Sequence, residues 1–272
     1  MAVMLSVLVA GCGASNATAN VVVPSSTIAG VGVLPGPLSD ASQRSSPQPV
    51  EASIAEDDAA VRPADLGLPS IGQLAQGKRV IVIGDSILAS TSPRFGGSLC
   101  DRLVEAGWDV EIDAEPGRFI TFADKVLDAR FHPDAGLDWD AVVMFFGSNY
   151  SGSRTEFESS LRALLERVQP RPVVLLTVTE FQTSRVAVND TIRDVAGESD
   201  AIHVIDWARI TEAEPGLLAY DGLHLSQAGK NRITTEIVLA LGTSPTFLSE
   251  SSGQCLETLF TDDELPVPDD GS

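Results

Sequence analysis

Asp221 and His224 stand three residues apart in Tyr220-Asp221-Gly222-Leu223-His224-Leu225-Ser226. On a single turn this spacing lets the carboxylate accept from the imidazole Nδ1–H. That bond fixes the tautomer and leaves Nε2 free to take a proton from a hydroxyl. A surface loop with Ser226 as the N-cap of the next helix is the competing use of the same residues. The hydroxyl candidate is Ser86 in Gly84-Asp85-Ser86, at the end of the apolar run Arg79-Val80-Ile81-Val82-Ile83. A serine leaving the tip of a buried strand, behind a glycine that permits a tight turn, sits where a nucleophile is needed; it is also well placed to cap a helix. The segment is neither a Gly-x-Ser-x-Gly elbow nor a phosphate loop with its lysine. Asn149, in Gly147-Ser148-Asn149, carries an amide that can donate to a developing oxyanion, or it can simply tolerate a left-handed turn. Gly117, in Glu115-Pro116-Gly117-Arg118, offers a bare backbone N–H to the same point, and a turn explains it equally well. Of the three histidines only His224 has a carboxylate at a useful spacing; His203 lies in an apolar strand and His132 in a Phe-His-Pro loop, both structural settings.

Short β-branched runs alternate with helical stretches between Lys78 and Gly242. Strands are expected at Arg79–Ile83, Trp108–Ile112, Ala141–Phe146, Pro172–Val178 and Ala201–Ile205. Helices are expected at about Gly97–Ala106, Phe122–Ala129, Glu156–Val168, Val186–Ala196 and Gln227–Leu241. In Glu156–Val168 the apolar Phe157, Leu161, Leu164, Leu165 and Val168 recur at three and four, one face of a helix. Five alternations imply an α/β domain with a parallel sheet covered on both faces and its site at the carboxyl ends of the strands. Each of the four candidate segments follows a strand.

In this order, Gly84-Asp85-Ser86, Gly117, Gly147-Ser148-Asn149 and Asp221-Gly222-Leu223-His224, with Leu225, Ser226 and Gly229 after the last, the chain resembles the SGNH (GDSL-type) hydrolases and acyltransferases. The resemblance spans residues 78–242 and is closest in appearance to SGNH domains of cell-envelope O-acylation. It implies a three-layer α/β/α sandwich with a five-stranded parallel sheet, the flavodoxin-like SGNH hydrolase fold. It also implies Ser86 as nucleophile, His224 as general base and then acid, and Asp221 as its orienting partner. Ser86 N–H, Gly117 N–H and the Asn149 side chain would line the oxyanion hole, with no metal and no organic cofactor required. One departure is Tyr150, where many members carry Asp after the Asn. The expected activity is a serine esterase acting on short acyl esters or an acylated glycan. The alternatives are O-acetyl transfer to a sugar hydroxyl, or a non-catalytic SGNH-like surface protein that binds glycan or protein.

The ends of the chain read differently. No Phe, Tyr or Trp precedes Phe95, so the first third has little bulk for a core. Residues 1–12 form a short apolar run ending Val9-Ala10-Gly11-Cys12, an order that resembles a bacterial lipobox with Cys12 as the lipidated residue. Residues 13–77, with Pro24, Pro35, Pro37, Pro47, Pro49, Pro63 and Pro69, suit a disordered tether. Residues 243–272 carry seven acids and no base, as a solvated tail would. An exported protein, lipid-anchored on the extracytoplasmic face, is the expectation, with the membrane met only through that anchor. The formal charge of −20, of which residues 78–242 carry −9, argues against a nucleic-acid partner. Cys100 and Cys255 permit one disulfide in an exported chain, although Cys100 on a helix could equally be a buried free thiol.

Overall fold

The computed structural model describes residues 69–132, 138–150, 152–245 and 252–260. Cys12, the leader and nearly all of the tether lie outside these residues, as does the acidic stretch 261–272. Five parallel strands form the sheet: β1 (Arg79–Gly84), β2 (Asp109–Ala114), β3 (Ala141–Phe145), β4 (Val173–Leu176) and β5 (Ile202–Ile205). Their order is β2-β1-β3-β4-β5. This is a doubly wound arrangement whose direction reverses between β1 and β3, and such a reversal opens a crevice at the carboxyl ends of those two strands.

The helices are α1 (Ile71–Leu74), α2 (Ser86–Ala89), α3 (Leu99–Glu105), α4 (Phe122–Arg130), α5 (Arg154–Val168), α6 (Ser184–Ala196), α7 (Trp207–Ala213) and α8 (Gln227–Leu241). α1 and α3 pack against α8, while α4 packs on α5 and α5 on α6, so the sheet is clad on both faces. The centre is apolar: Val80, Ile81, Val82 and Ile83 of β1 are wholly buried, as are Val142, Val143 and Val174 of its neighbours. α5 buries the five apolar residues that its periodicity requires, behind a capping box in which Ser153 and Glu156 satisfy each other's backbone N–H. α1, α2 and α7 are too short to show a period, and none was expected from the pattern.

β2 departs from the expected apolar run. Asp109, Glu111 and Asp113 alternate with Val110, Ile112 and Ala114, and all six are buried. The acidic face is matched by cations and amides. Lys78 Nζ lies 3.3 Å from Asp109, Arg130 Nε donates to Glu111 at 2.6 Å, and the Leu259 and Phe260 N–H groups donate to Asp113 Oδ1 at 3.0 and 3.3 Å.

Those last two donors correct the reading of residues 243–272 as a solvated tail. Residues 252–260 lie along β2 as a strap. Val110 N–H donates to Gln254 O at 2.8 Å, Leu256 N–H to Val110 O at 2.7 Å, and Thr258 Oγ1 to Ile112 O at 3.2 Å. Cys255 is joined to Cys100 of α3 by a disulfide, with Cα atoms 5.8 Å apart. Phe260 closes the strap edge-on against Phe122, with ring centroids 5.3 Å apart. A hydrophobic and backbone-bonded segment thus precedes the acidic stretch. At the other end, Ile71 of α1 is fully buried, so the packed domain begins before Lys78.

Candidate active site

The tips of β2, β1 and β3 lie side by side. Glu115 N–H bonds Gly84 O at 3.1 Å and Asp85 N–H bonds Phe145 O at 3.3 Å. Gly117, Ser86 and Asn149 therefore leave three adjacent strands with β1 in the middle. Asp85, not Ser86, caps α2: its side chain accepts from Ile87 N–H at 3.0 Å. The capping role open to Ser86 is filled by its neighbour, and the Ser86 hydroxyl is left for other work.

That hydroxyl faces His224. Ser86 Oγ lies 3.3 Å from His224 Nε2, and His224 Nδ1 lies 2.7 Å from Asp221 Oδ2. The other Asp221 oxygen accepts from the backbone N–H groups of Leu223 and His224, both at 3.0 Å. Gly222, at φ +68°, supplies the left-handed step that folds this turn back on itself. With His224 first among its donors, Asp221 is held down to about 2 and stays ionised. Ala219 N–H fastens the turn to His224 O at 2.7 Å, and Ser226 caps α8 through Gly229 N–H at 3.2 Å. The Asp221–His224 contact and the Ser226 cap are thus present in one segment.

Asn149 does not take a left-handed conformation; Gly147, at φ +125°, does. A Cβ on Gly147 would run into Val188, so glycine is required there twice over. Asn149 Nδ2 donates to Arg118 O at 3.1 Å, which leaves its second N–H for a ligand. Gly117, at φ +72°, makes the turn after β2. His203 is buried in β5, where burial pushes its pKa down, and it lies apart from the site. Among the described residues no group of His, Cys, Asp and Glu could hold a metal ion.

The sequence reading missed the residues around these groups. A cavity of about 220 Å³ opens beside Asn149, walled by Phe119, Ile120, Gly147, Tyr150 and Phe157. Tyr150, the family's departure point, packs edge-on against Phe157 with centroids 5.8 Å apart. Phe119 and Ile120 stand just past Gly117, and that adjacency was the available signal. A second, more polar cleft of about 540 Å³ borders Gly222 on the β4–β5 side.

A family model of GDSL-like lipases/acylhydrolases matches residues 82–232. The chain belongs to the GDSL-like lipase/acylhydrolase family. It is accordingly a GDSL-type serine hydrolase acting on ester bonds. Curated relatives include the O-acetyltransferase OatA of Staphylococcus aureus (strain NCTC 8325 / PS 47), 24% identical over 166 residues, 61% of this chain and 25% of that protein. The chain thus spans about a quarter of the length of the curated relatives it matches. Among solved structures, the lipase/acylhydrolase from Enterococcus faecalis superposes with a TM-score of 0.50 at 23% identity, over 59% of this chain and 93% of that one. That likeness speaks to the fold, which is the α/β architecture expected from the alternation of strands and helices.

Two buried carboxyls of this GDSL domain set how its stability depends on pH. Burial pushes Asp85 up to about 7, against the hydrogen bond from Ile87 N–H and the charge of His224. Burial and the neighbouring Asp113 push Glu111 up to about 8, with Arg130 opposing. Each holds its proton in the folded chain at a pH where the unfolded chain has released it, so its contribution is full below about pH 4 and is lost as pH rises to 7 or 8. Asp221 acts in the opposite sense, its contribution fading only as pH falls from 3.8 toward 2. Thermal midpoints are expected to decline between about pH 5 and 8, and Asp85→Asn and Glu111→Gln to flatten that decline. A midpoint that climbs through this range in the parent protein contradicts the assignment.

Proposed function

We propose that this chain removes or transfers short acyl groups on an extracytoplasmic, cell-envelope glycan through an acyl-enzyme on Ser86. The observation that carries the proposal is the hydrogen-bonded series Ser86–His224–Asp221 at the carboxyl edge of the sheet. Ser86 Oγ attacks the ester carbonyl while His224 Nε2 takes its proton. The carbonyl oxygen gathers charge against Ser86 N–H, Gly117 N–H and the free amide N–H of Asn149. When the tetrahedral centre collapses, the C–O bond to the alcohol breaks and His224 returns the proton to the leaving oxygen. Water, or a sugar hydroxyl, then gives its proton to His224 and attacks the acyl-Ser86 carbonyl; when that centre collapses, the bond from the acyl carbon to Oγ breaks and His224 returns the proton to Ser86 Oγ. Asp221 keeps its charge throughout and holds the imidazole in the tautomer that these steps need.

Water as acceptor makes this an esterase, and a sugar hydroxyl makes it an O-acyltransferase. Similarity to a protein named as an O-acetyltransferase favours the second reading. An extracytoplasmic setting is supported by the Cys100–Cys255 disulfide, a bond that persists in oxidising compartments. Lipidation at Cys12, with two or more acyl chains, would hold the enzyme at the membrane surface.

The cavity beside Asn149 lies on the side where the carbonyl oxygen is expected, so the acyl chain belongs there. At roughly 30 Å³ per water-sized group, its 220 Å³ admits about seven such groups. With p-nitrophenyl esters, acetyl to hexanoyl chains should be hydrolysed, and dodecanoyl esters turned over at least about tenfold less efficiently in kcat/KM. A fluorophosphonate probe should label the parent protein and not Ser86→Ala. Equal labelling of the two, or a preference rising steadily to dodecanoyl, refutes the proposal.

A further inference from the structure

The alcohol portion of the ester must leave past His224, because Nε2 returns the proton to its oxygen. The cleft of about 540 Å³ borders Gly222, in the turn that carries Asp221 and His224. Its far wall is held to the same turn, Leu218 pairing with Leu225 and Ser226 N–H bonding Leu217 O at 2.9 Å. From the geometry and chemistry of this cleft we infer that it binds an uncharged oligosaccharide. The inference rests on the proposed role of His224 and specifies the alcohol that the active site handles.

Three features choose this ligand class. The first is size: at about 30 Å³ per water-sized group, the cleft holds about eighteen such groups, room for a pyranose ring of about twelve heavy atoms and part of a neighbour. The second is lining: Thr179, Glu180, Arg209 and Glu212 offer donors and acceptors around the apolar Phe181 and Leu218, which suits a ring whose faces are apolar and whose rim is hydroxylated. Tyr220, next to Asp221, extends this pattern. It is fully exposed, a ring that no other part of the described fold covers. The third is charge: Arg193 pairs with Asp206 at 2.9 Å, and the remaining lining charges are the two carboxylates Glu180 and Glu212 against the guanidinium of Arg209. An acidic glycan would meet like charge there.

The test is equilibrium binding, by saturation-transfer NMR, of cellotriose, tri-N-acetylchitotriose and trigalacturonate to the parent protein, Glu212→Trp and Tyr220→Ala. Glu212 is exposed on α7 and Tyr220 is fully exposed, so each variant should keep the parent's melting curve; if Glu212→Trp does not, Tyr220→Ala alone decides. At least one uncharged trisaccharide is expected to bind the parent, with trigalacturonate at least about tenfold weaker and each folded variant weakened about tenfold or more. Binding of neither uncharged trisaccharide, equal binding of trigalacturonate, or undiminished binding by the folded variants overturns the inference. Hydrolysis of p-nitrophenyl acetate by the parent is measured alongside. Its absence counts against the esterase reading, while the binding arms still decide the cleft.

Discussion

Ser86→Ala is expected to lower kcat/KM on a p-nitrophenyl acyl ester by about 10³–10⁶-fold while leaving the melting temperature almost unchanged. The first half follows from the loss of Oγ, the atom 3.3 Å from His224 Nε2 that forms the acyl bond. Whatever turnover persists comes from substrate binding and the oxyanion donors, which the substitution spares. The second half follows from the cap. Because Asp85 receives the Ile87 N–H, the Ser86 hydroxyl supports no helix end, and alanine at the first helical position is well tolerated. A variant that keeps activity within tenfold removes Ser86 as nucleophile. One that loses activity only because it unfolds would show a melting temperature far below the parent's.

The double variant Cys100→Ser/Cys255→Ser is expected, by contrast, to act on stability and to lower it by about 2–5 kcal/mol. Cys100 and Cys255 are 155 residues apart in sequence. Closing a loop of that length removes chain entropy from the unfolded state worth about 5 kcal/mol, and native disulfides in other proteins contribute about 2–5 kcal/mol. For a domain of this size each kcal/mol moves the midpoint by about 2–4 °C, so a drop of about 10–20 °C is expected. The strap adds a reason for the upper end. Without the disulfide, the Leu259 and Phe260 amides that serve Asp113 are held by hydrogen bonds and the Phe122 contact alone. Melting by circular dichroism with and without reductant checks this, and a shift under about 3 °C refutes it.

What could be read from residue order alone was whatever is local. The alternation of strands and helices, the buried face of α5 and the Asp221–His224 turn each depend on residues a few positions apart, and all are present in the structure. The strap escaped because its partners are distant and mostly backbone: Val110 bonds Gln254 and Leu256 through main-chain groups that any sequence supplies. Cys255, Leu256, Leu259 and Phe260 were the visible hint, outweighed by the acids that surround them. The acidic face of β2 escaped for the same reason, since Arg130 and the strap amides that satisfy it come from elsewhere in the chain. The walls of the two cavities escaped because a cavity belongs to several loops at once, and no single loop announces it.

The disulfide also divides the chain into a covalent ring and what lies outside it. Residues 100–255 form the ring, which includes β2 to β5, Gly117, Asn149, Asp221 and His224. β1 and Ser86 precede Cys100, and β1 is held between two ring strands by its pairing with β2 and β3. A protease that cuts once inside the ring therefore releases nothing, because the two pieces remain joined through Cys100–Cys255. A cut between Ala89 and Leu99 has the opposite consequence: the proposed nucleophile would no longer share a covalent chain with its histidine, and would stay in register with it through non-covalent contacts alone, the ladder hydrogen bonds and buried side chains of β1 and the packing of α1 on α8.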